Sequence, residues 1–395
     1  MKYFLCFLIL IFFVSCSNKQ SESSMVDSDC IIINLDEKRG SSIPLSTYFN
    51  SVQAIILETK DECLIGRINE LQVFDGYIYV LDSRIAKSLF VFDMNGHFIR
   101  KIGGLGNGPG EYNSLEDFTL DTENGFIFLL DFGKRVHKYH LNGTFIQTIT
   151  PELRDKNANN IQFYKNKLYL CIDAYRPSPN DNMLLEIDPD NGKILSSKLP
   201  IKHNKGWGHP SSTGHNFFMS RLNDPPRYTR LYMDEIVTIG DSITPFIKLK
   251  SKDLSTLEDL NNLQHVTPNF EMNFMRFTKI WDVRGLLEND DFIIFRYRHA
   301  LNSYTVIYNK KTETVELTDY LYNDLIFKNK GTIESSPDFM FSDSKGVYEI
   351  LSGRLFTGFL ENTRNNEIIA ELDKLEQLSK LESNANPVIF YYEYK

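Results

Sequence analysis

The chain has 395 residues, of which 42 % are hydrophobic and 24 % are charged, and its formal net charge at pH 7 is −9. This hydrophobic content is enough to build a packed core. The acidic excess argues against binding to nucleic acid and against electrostatic docking on anionic lipid. Beyond the N-terminus, no apolar stretch approaches the roughly 20 residues that a membrane-spanning helix requires.

The first residues predict export. An apolar run over residues 4–14 is too short to cross a bilayer as a helix, so we interpret residues 1–15 as a secretory signal peptide. Ser15 then precedes Cys16, which resembles the lipobox of bacterial lipoproteins, although Phe13 stands where that family usually has leucine. The resemblance implies cleavage before Cys16 and diacylation of its thiol. The alternative is an ordinary cleaved signal with an incidental cysteine.

Residues 16–30 are polar and aperiodic after the first position, and we interpret them as the lipidated cysteine followed by a flexible tether. The cysteines that remain are Cys30, Cys63 and Cys171, an odd number without the paired spacing of a zinc site. The sequence therefore encodes no disulfide framework, and stability must come from the packed core.

A repeat begins near residue 70. Three similar segments, each rich in aromatic and β-branched residues and ending in Asp, are Tyr77–Asp82, Phe126–Asp131 and Lys167–Asp173. A second predicted strand follows each of them and runs into an Asn-Gly pair, at residues 95–96, 142–143 and 191–192. Asn-Gly supplies the two positive φ values of a type I′ hairpin turn. Equivalent glycines are 47 to 49 residues apart, which fits one four-stranded propeller blade.

The later part of the chain keeps this pattern with less similarity, and strands are predicted at 217–219, 236–239, 245–249, 291–295, 304–308 and 314–317. We therefore predict that residues 31–395 form an all-β domain, a six-bladed β-propeller, with a helical insertion at about 353–387. The predicted strands 52–57 and 388–392 have no partner nearby in sequence. We expect them to pair and close the ring, because an open apolar edge invites aggregation.

The insertion carries an amphipathic pattern over residues 367–381. Its apolar positions, which recur at helical spacing, are Ile368, Ile369, Leu372, Leu375 and Leu378. The pattern predicts one amphipathic helix near the C-terminus. We expect this helix to dock on the flank of the propeller, and the alternative is a helix that binds a partner.

A glycine-rich segment over residues 102–112 lies between a predicted outer strand and the next inner strand. It resembles the linker of NHL-repeat propellers. With Leu-Glu-Thr at 57–59 and Leu-Ile-Gly at 64–66, it is similar to the six-bladed β-propeller lipoproteins of Gram-negative bacteria. The resemblance implies a six-bladed fold and a surface or periplasmic lipoprotein. We expect a lipid-anchored protein of the cell envelope of a Gram-negative bacterium, in the outer membrane or on the cell surface rather than in the inner membrane. The resemblance implies no activity, and Cys16 is the one functional residue that it carries over.

Loops between the second and third strands of the blades are expected on the same face as the glycine-rich linker. They carry recurring basic and tyrosine residues, which are Arg84, Lys87, Lys134, Arg135, Tyr175, Arg176, Arg227 and Tyr228. This pattern predicts a binding face for an anionic or sugar ligand. The alternative is a set of solvated loop residues.

His203, His209 and His215 are evenly spaced in a segment rich in Gly, Ser and Pro. Imidazole groups near a propeller axis can hold a metal ion. No carboxylate-rich segment accompanies them, so they are weak candidates, and we predict neither a metal nor a cofactor.

We interpret the chain as a membrane-anchored exported lipoprotein whose propeller binds a protein, a small molecule or a glycan. The sequence contains no catalytic motif. The alternatives are a propeller enzyme of the lactonase, lyase or glycosidase type with a site in the central channel, and a structural subunit of a membrane complex. A bound divalent ion, or a cluster of Asp, Glu and His on the inner strands, would favour the enzyme.

Overall fold

The fold is that of a computed structural model, which describes residues 30–132, 134–154, 156–173, 181–200, 217–218, 221–256, 258–259, 278–328, 339–351, 353–365, 367–369 and 371–395. Most of these residues lie in antiparallel sheets that follow one another around a ring. This arrangement confirms the predicted all-β, six-bladed β-propeller.

The first half of the chain contains an N-terminal segment and three blades. The N-terminal strands are β1 (Ile31–Asn34), β2 (Ile43–Pro44) and β3 (Phe49–Ile56). Blade one consists of β4 (Glu70–Phe74), β5 (Tyr77–Asp82), β6 (Ser88–Asp93) and β7 (Phe98–Ile102), and the linker after it contains β8 (Gly104–Leu105) and β9 (Glu111–Tyr112). Blade two consists of β10 (Leu115–Asp121), β11 (Phe126–Asp131), β12 (Arg135–His140) and β13 (Phe145–Ile149). Blade three consists of β14 (Asn157–Tyr164), β15 (Lys167–Asp173), β16 (Asn182–Ile187) and β17 (Ile194–Pro200).

The second half contains the other three blades. Blade four consists of β18 (Phe217–Phe218), β19 (Arg227–Tyr228), β20 (Glu235–Ile239) and β21 (Ile243–Lys250). Blade five consists of β22 (Ile280–Glu288), β23 (Phe292–His299), β24 (Asn302–Asn309) and β25 (Thr314–Thr318), and β26 (Leu321–Tyr322) follows it. Blade six consists of β27 (Phe339–Ser342), β28 (Gly346–Leu351), β29 (Val388–Tyr394) and β3.

The two ends of the chain meet in blade six. β29 pairs antiparallel with β3, and Val388 stands opposite Ile56 while Tyr392 stands opposite Val52. β3 is thus the outermost strand of blade six, and β3 and β29 each cover an edge of the other.

The hairpins at the Asn-Gly pairs differ from the predicted type I′ turn. In each pair only the glycine has a positive φ, which is 89° at Gly96, 91° at Gly143 and 74° at Gly192. The strand register also shifts next to each turn, as it does between Val91 and Phe92 in blade one. The turns are therefore bulged loops in which one glycine takes the left-handed conformation.

The N-terminal segment covers the outer edges of two further blades, which the sequence did not predict. β1 adds to blade four as a fifth strand, parallel to β21, with Ile33 opposite Leu249. Gly40 then bridges to Thr318 at the edge of blade five, and β2 pairs in parallel with β26. The segment therefore runs along blades four and five before it enters blade six.

The predicted helix over 367–381 is wrong in its position. The structure has helix α1 at Gly353–Arg364 and a short helix α2 at Leu375–Ser379. Between them the chain is extended at Ile368, which bridges to Phe327, and Lys374 has a φ of 56°, a conformation that no continuous helix can pass through. Ile368, Leu372 and Leu378 are nevertheless buried against the body of the propeller. The apolar residues of this segment therefore pack against the propeller itself.

Apolar side chains fill the spaces between neighbouring blades. One cluster joins Phe128 of blade two, Tyr169 of blade three and Val237 of blade four. Cys63 and Cys171 are buried, and no disulfide joins Cys30, Cys63 and Cys171 to one another. Among the helices of the described ranges, none is long and apolar enough to cross a membrane.

Candidate functional site

One side of the ring is organised by the aspartates that end the second strands. Asp82 accepts a hydrogen bond from the backbone N–H of Ile85 in the next loop at 2.8 Å, and two more from the linker that enters β4. In blade two, Asp131 accepts from the N–H groups of Phe132 at 2.8 Å and Ser114 at 3.2 Å. Each aspartate thus ties a loop to an inter-blade linker. We call this side the linker face, and its parts in blades one and two are residues 83–87, 132, 134, 57–69 and 103–114.

Large apolar side chains project from the linker face. Ile85 is 66 % exposed and Phe132 is 70 % exposed, and they lie on equivalent loops of blades one and two. Leu301, on the corresponding loop of blade five, is 63 % exposed, and Leu64 and Leu105 are exposed on the linkers. Several large apolar groups exposed on one side of a protein are typical of a binding surface.

Three of the predicted cations lie beside these apolar groups. Arg84 and Lys87 flank Ile85 and are exposed, and the guanidinium of Arg84 approaches the carboxylate of Glu116 to 3.8 Å. Lys134 is exposed next to Phe132, and its Nζ donates a hydrogen bond to a backbone carbonyl. The linker face therefore combines basic and apolar side chains on the loops of two adjacent blades.

Arg135 has a partly structural role. Its guanidinium forms an ion pair with Asp131, whose carboxylate also lies 3.4 Å from Nε2 of the buried His137. Arg135 therefore helps to hold the aspartate that orders the loop, and it reaches the surface with part of its side chain.

Arg227 and Tyr228 do not lie on the linker face. The sequence suggested a loop here, but both residues belong to β19, the second strand of blade four. Arg227 donates to both carboxylate oxygens of Glu288 in blade five at 3.0 Å and lies 3.5 Å above the ring of Phe246. Tyr228 is fully buried, and burial raises the pKa of its hydroxyl. Tyr228 thus offers no surface to a ligand, and the partly buried Arg227 has its guanidinium engaged between blades four and five.

The remaining candidates lie outside the described residues. They are Cys16, Tyr175, Arg176, His203, His209 and His215. The lipid anchor, the blade-three part of the binding face and the histidine group therefore stay predictions from the sequence.

A row of polar side chains on the inner strands was missed by sequence reasoning. Glu70, Asp117 and Asn160 occupy equivalent positions in blades one to three, because each stands opposite the fifth residue of the second strand of its blade. Two residues further along lie Gln72, Thr119 and Gln162. The signal in the sequence was a carboxyl or amide side chain near the start of each inner strand.

Asp117, Thr119 and Gln72 form hydrogen bonds with backbone groups of the neighbouring inner strand. Asp117 is 5 % exposed, and it accepts hydrogen bonds from Nδ2 of Asn160 at 3.1 Å and from the backbone N–H of Ile161 at 2.9 Å. Thr119 Oγ1 accepts from the backbone N–H of Phe163 at 3.0 Å. Burial raises the pKa of Asp117 to about 7 and raises the pKa of Glu70, which the charge of Asp117 raises further.

A cleft of about 470 Å³ lies between the N-terminal segment and the edges of blades four and five. Its lining carries charges of both signs, and these include Asp36, Lys38, Arg39, Lys252, Asp253 and Asp319. Because the charges are mixed, the lining selects no class of ligand. Within the described ranges, no three His, Cys, Asp or Glu side chains are grouped so that they could hold a metal ion.

Comparisons with known proteins agree with the fold. A family model described as "Domain of unknown function (DUF4934)" matches residues 30–393. A putative exported protein from Bacteroides fragilis has 17 % sequence identity and a TM-score of 0.73, with 93 % of this chain and 99 % of that chain covered. A member of the duf4221 family from Bacteroides vulgatus has 11 % identity and a TM-score of 0.50, covering 88 % and 97 %. At these identities the two similarities show the fold alone, and no curated protein matches the chain.

Proposed function

We propose that this chain, which belongs to the DUF4934 family, is an exported binding module that recognises a partner protein through its linker face. The observation that carries the proposal is the combination of Ile85 and Phe132 with Arg84, Lys87 and Lys134 on adjacent loops. Aromatic residues and arginine are enriched at protein interfaces, and a rigid scaffold with variable loops is a common recognition surface.

A protein partner fits this surface better than a small molecule or a glycan. Small ligands are bound in concave sites that bury most of their surface. Ile85 and Phe132 instead project outward from two different blades, so a broad partner surface is needed to bury both. The basic neighbours would favour a partner that carries carboxylates around an apolar patch.

The enzyme alternative is less well supported. It calls for acidic groups on the inner strands, where Glu70 and Asp117 do lie. However, Asp117 is almost completely buried, and its oxygens accept hydrogen bonds from neighbouring strands rather than face an open channel. Binding therefore remains the function that the geometry supports best.

The location of the protein is part of the proposal. The signal-like residues 1–15 and the exported protein of similar fold both favour export. Lipidation of Cys16 would then hold the propeller in the cell envelope of a Gram-negative bacterium, at the outer membrane or the cell surface. Such an anchor would raise the local concentration of the binding face near membrane-bound partners.

A photo-crosslinking experiment tests the binding face. A photoreactive phenylalanine analogue replaces Phe132 in cells that produce the protein, and irradiation should yield one defined crosslinked partner. The charge reversals Arg84→Glu and Lys87→Glu, combined, should remove this product because they repel a carboxylate-bearing surface.

The matched control places the same analogue at Ile146, an exposed residue on the outer strand β13 of the same blade. It should give no such product. A partner captured at 146 but not at 132, or a product at 132 that survives the charge reversal, would contradict the proposed face.

A further inference from the structure

The inner strand of blade five is irregular near its start, at the linker face. The pairing of β22 with β23 shifts register between Ile280 and Asp282, and again between Arg284 and Leu287. At the second shift Gly285 has a φ of 63°. A bulge re-aims the side chains of its strand, and bulges are over-represented next to active sites. The segment from 281 to 284 therefore presents its side chains differently from a regular inner strand.

Asp282 brings two arginine side chains together in this segment. It stands opposite Arg298 of β23, and the side chains of such a pair lie on one face of the sheet with Cβ atoms about 5 Å apart. The carboxylate of Asp282, which is 5 % exposed, accepts hydrogen bonds from Nε of Arg284 at 2.6 Å and from Nη2 of the same residue. The guanidinium of Arg284 is thus held at Asp282, next to Arg298.

Arg298 keeps unused hydrogen-bond donors at this place. It is half-buried, and its guanidinium lies 5.4 Å from the centre of the Trp281 ring. In the part of the chain that the structure describes, this guanidinium has no hydrogen bond and no ion pair, and Asp282 is bound by Arg284. Burial and the charges of Arg284 and Arg296 lower the pKa of Arg298. Arg296 is engaged in an interaction of its own, so we do not count it as part of the site.

The same strand fastens an exposed apolar residue beside the arginines. Nε1 of Trp281 donates a hydrogen bond to the carbonyl of Ala300 at 3.1 Å, which ties the loop between β23 and β24 to the inner strand. Leu301 follows in that loop and is 63 % exposed. Blade five therefore combines an exposed apolar side chain with nearby cations, as blade one does at Ile85.

We propose that Arg284 and Arg298 form a binding site for a carboxylate group, and that this group is an Asp or Glu side chain of the partner protein whose apolar neighbour covers Leu301. The inference rests on the proposed function and names one contact of it. An anion between the two guanidinium groups would reduce their repulsion and would accept from the unused donors of Arg298.

The charge of the site favours a carboxylate over a phosphate. Arg284, Arg298 and Asp282 together carry a single positive charge, which one carboxylate neutralises. A phosphate dianion would place an excess negative charge next to Asp282. Because the site is partly shielded from water, salt screens its charges less than those of an exposed ion pair.

NMR of the arginine Nε–H groups in the full chain tests the site. The probe is the tripeptide N-acetyl-Glu-Glu-Glu-amide, and inorganic phosphate is the second probe. The peptide should shift the signals of Arg284 and Arg298 along one saturable curve. Arg298→Gln should weaken binding of the peptide, followed at Arg284, by about tenfold or more, because a hydrogen bond between charged groups is lost.

Two variants complete the titration. Arg298→Lys keeps the charge but loses the planar fork, so it should bind the peptide more weakly than wild type and more tightly than Arg298→Gln. Lys311→Gln is the matched control, because it removes an exposed charge from the loop between β24 and β25 at the other end of the same blade. It should bind the peptide within about twofold of wild type. Arginine signals that do not respond to the peptide, or phosphate binding as tight as that of the peptide, would overturn the site.

A photoreactive analogue at Leu301 links the site to the partner. It should capture the protein that is captured at Phe132, and Arg298→Gln should weaken this capture. If neither position captures a protein although the peptide binds, the proposed function fails and the carboxylate site is retained. If Phe132 captures a partner that Leu301 does not, and Arg298→Gln leaves that capture unchanged, this inference fails and the proposed function is retained.

Discussion

The carboxylate of Asp82 accepts a hydrogen bond from the backbone N–H of Gly66 at 2.8 Å, which joins the end of β5 to the linker that arrives from blade six. The same side chain accepts from the N–H groups of Arg67 at 3.0 Å and Ile85 at 2.8 Å. The aspartate that ends the repeated sequence segment is therefore an internal tie between a blade and its incoming linker, and Asp131 has the same role in blade two.

The first prediction concerns this tie. Asp82→Ala removes an acceptor from several backbone N–H groups, and we expect the free energy of unfolding to fall by about 2–4 kcal/mol. Loop 83–87 should also be cleaved faster by protease, because its anchor is lost. Urea unfolding and limited proteolysis measure both effects, with the exposed Glu123→Ala as a control that should stay within about 0.5 kcal/mol of wild type. Equal stability of the Asp82 variant and the control would refute the tie.

The second prediction concerns Asn386, which is 2 % exposed next to β29. Its Nδ2 donates to the carbonyl oxygens of Glu58 at 2.7 Å and Cys63 at 2.9 Å, and its Oδ1 accepts from the N–H of Ile65 at 2.8 Å. It thus fastens the first linker to the last blade. Asn386→Ala should lower the free energy of unfolding by about 2–4 kcal/mol.

Asn386→Asp sharpens this test, because it keeps the size of the side chain but places a carboxylate against two carbonyl oxygens. We expect it to destabilise the protein more than Asn386→Ala at pH 7, and to recover part of that loss near pH 4, where the carboxyl group is protonated. Asn107→Asp, at an exposed position of the glycine-rich linker, should show no such recovery. Denaturation at the two pH values decides between these outcomes.

The third prediction concerns ring closure. Truncation after Asn386 removes β29, whose Val388, Ile389 and Phe390 are fully buried, and leaves β3 without its partner. We expect the truncated protein to lose cooperative unfolding or to aggregate. Deletion of residues 17–28 should barely change the melting temperature. Thermal melts followed by circular dichroism, with size-exclusion chromatography, measure both; a truncated protein as stable as the full chain would show that closure does not depend on this pair.

The fourth prediction concerns the anchor. Cys16→Ala should leave the protein without lipid and without firm attachment to the membrane, because the proposed acyl chains are carried by that thiol. Partition into detergent and the mass of the N-terminal peptide measure this. A variant that still partitions wholly into detergent, together with a wild-type peptide of unmodified mass, would exclude Cys16 as the anchor.

The sequence by itself determined the all-β class, the blade period and the second and third strands of each of the first three blades. These features depend on alternation and turn residues within a few positions of one another, and local patterns record them directly. The terminal aspartates were visible as a repeat, but their role was not, because the linker N–H groups that they bind lie 15 to 17 residues away in the chain.

Tertiary structure alone decided which side chains meet between blades. The exposed Arg84 and the partly buried Arg227 look alike in sequence, and they differ because Arg227 lies on a strand that packs against blade five. The helix of the insertion lies at Gly353–Arg364 rather than at the predicted residues 367–381, where Ile368 instead makes an extended contact with Phe327. Asp117 and Asn160 are 43 positions apart, and only the turn of the ring brings the carboxylate within hydrogen-bond distance of the amide.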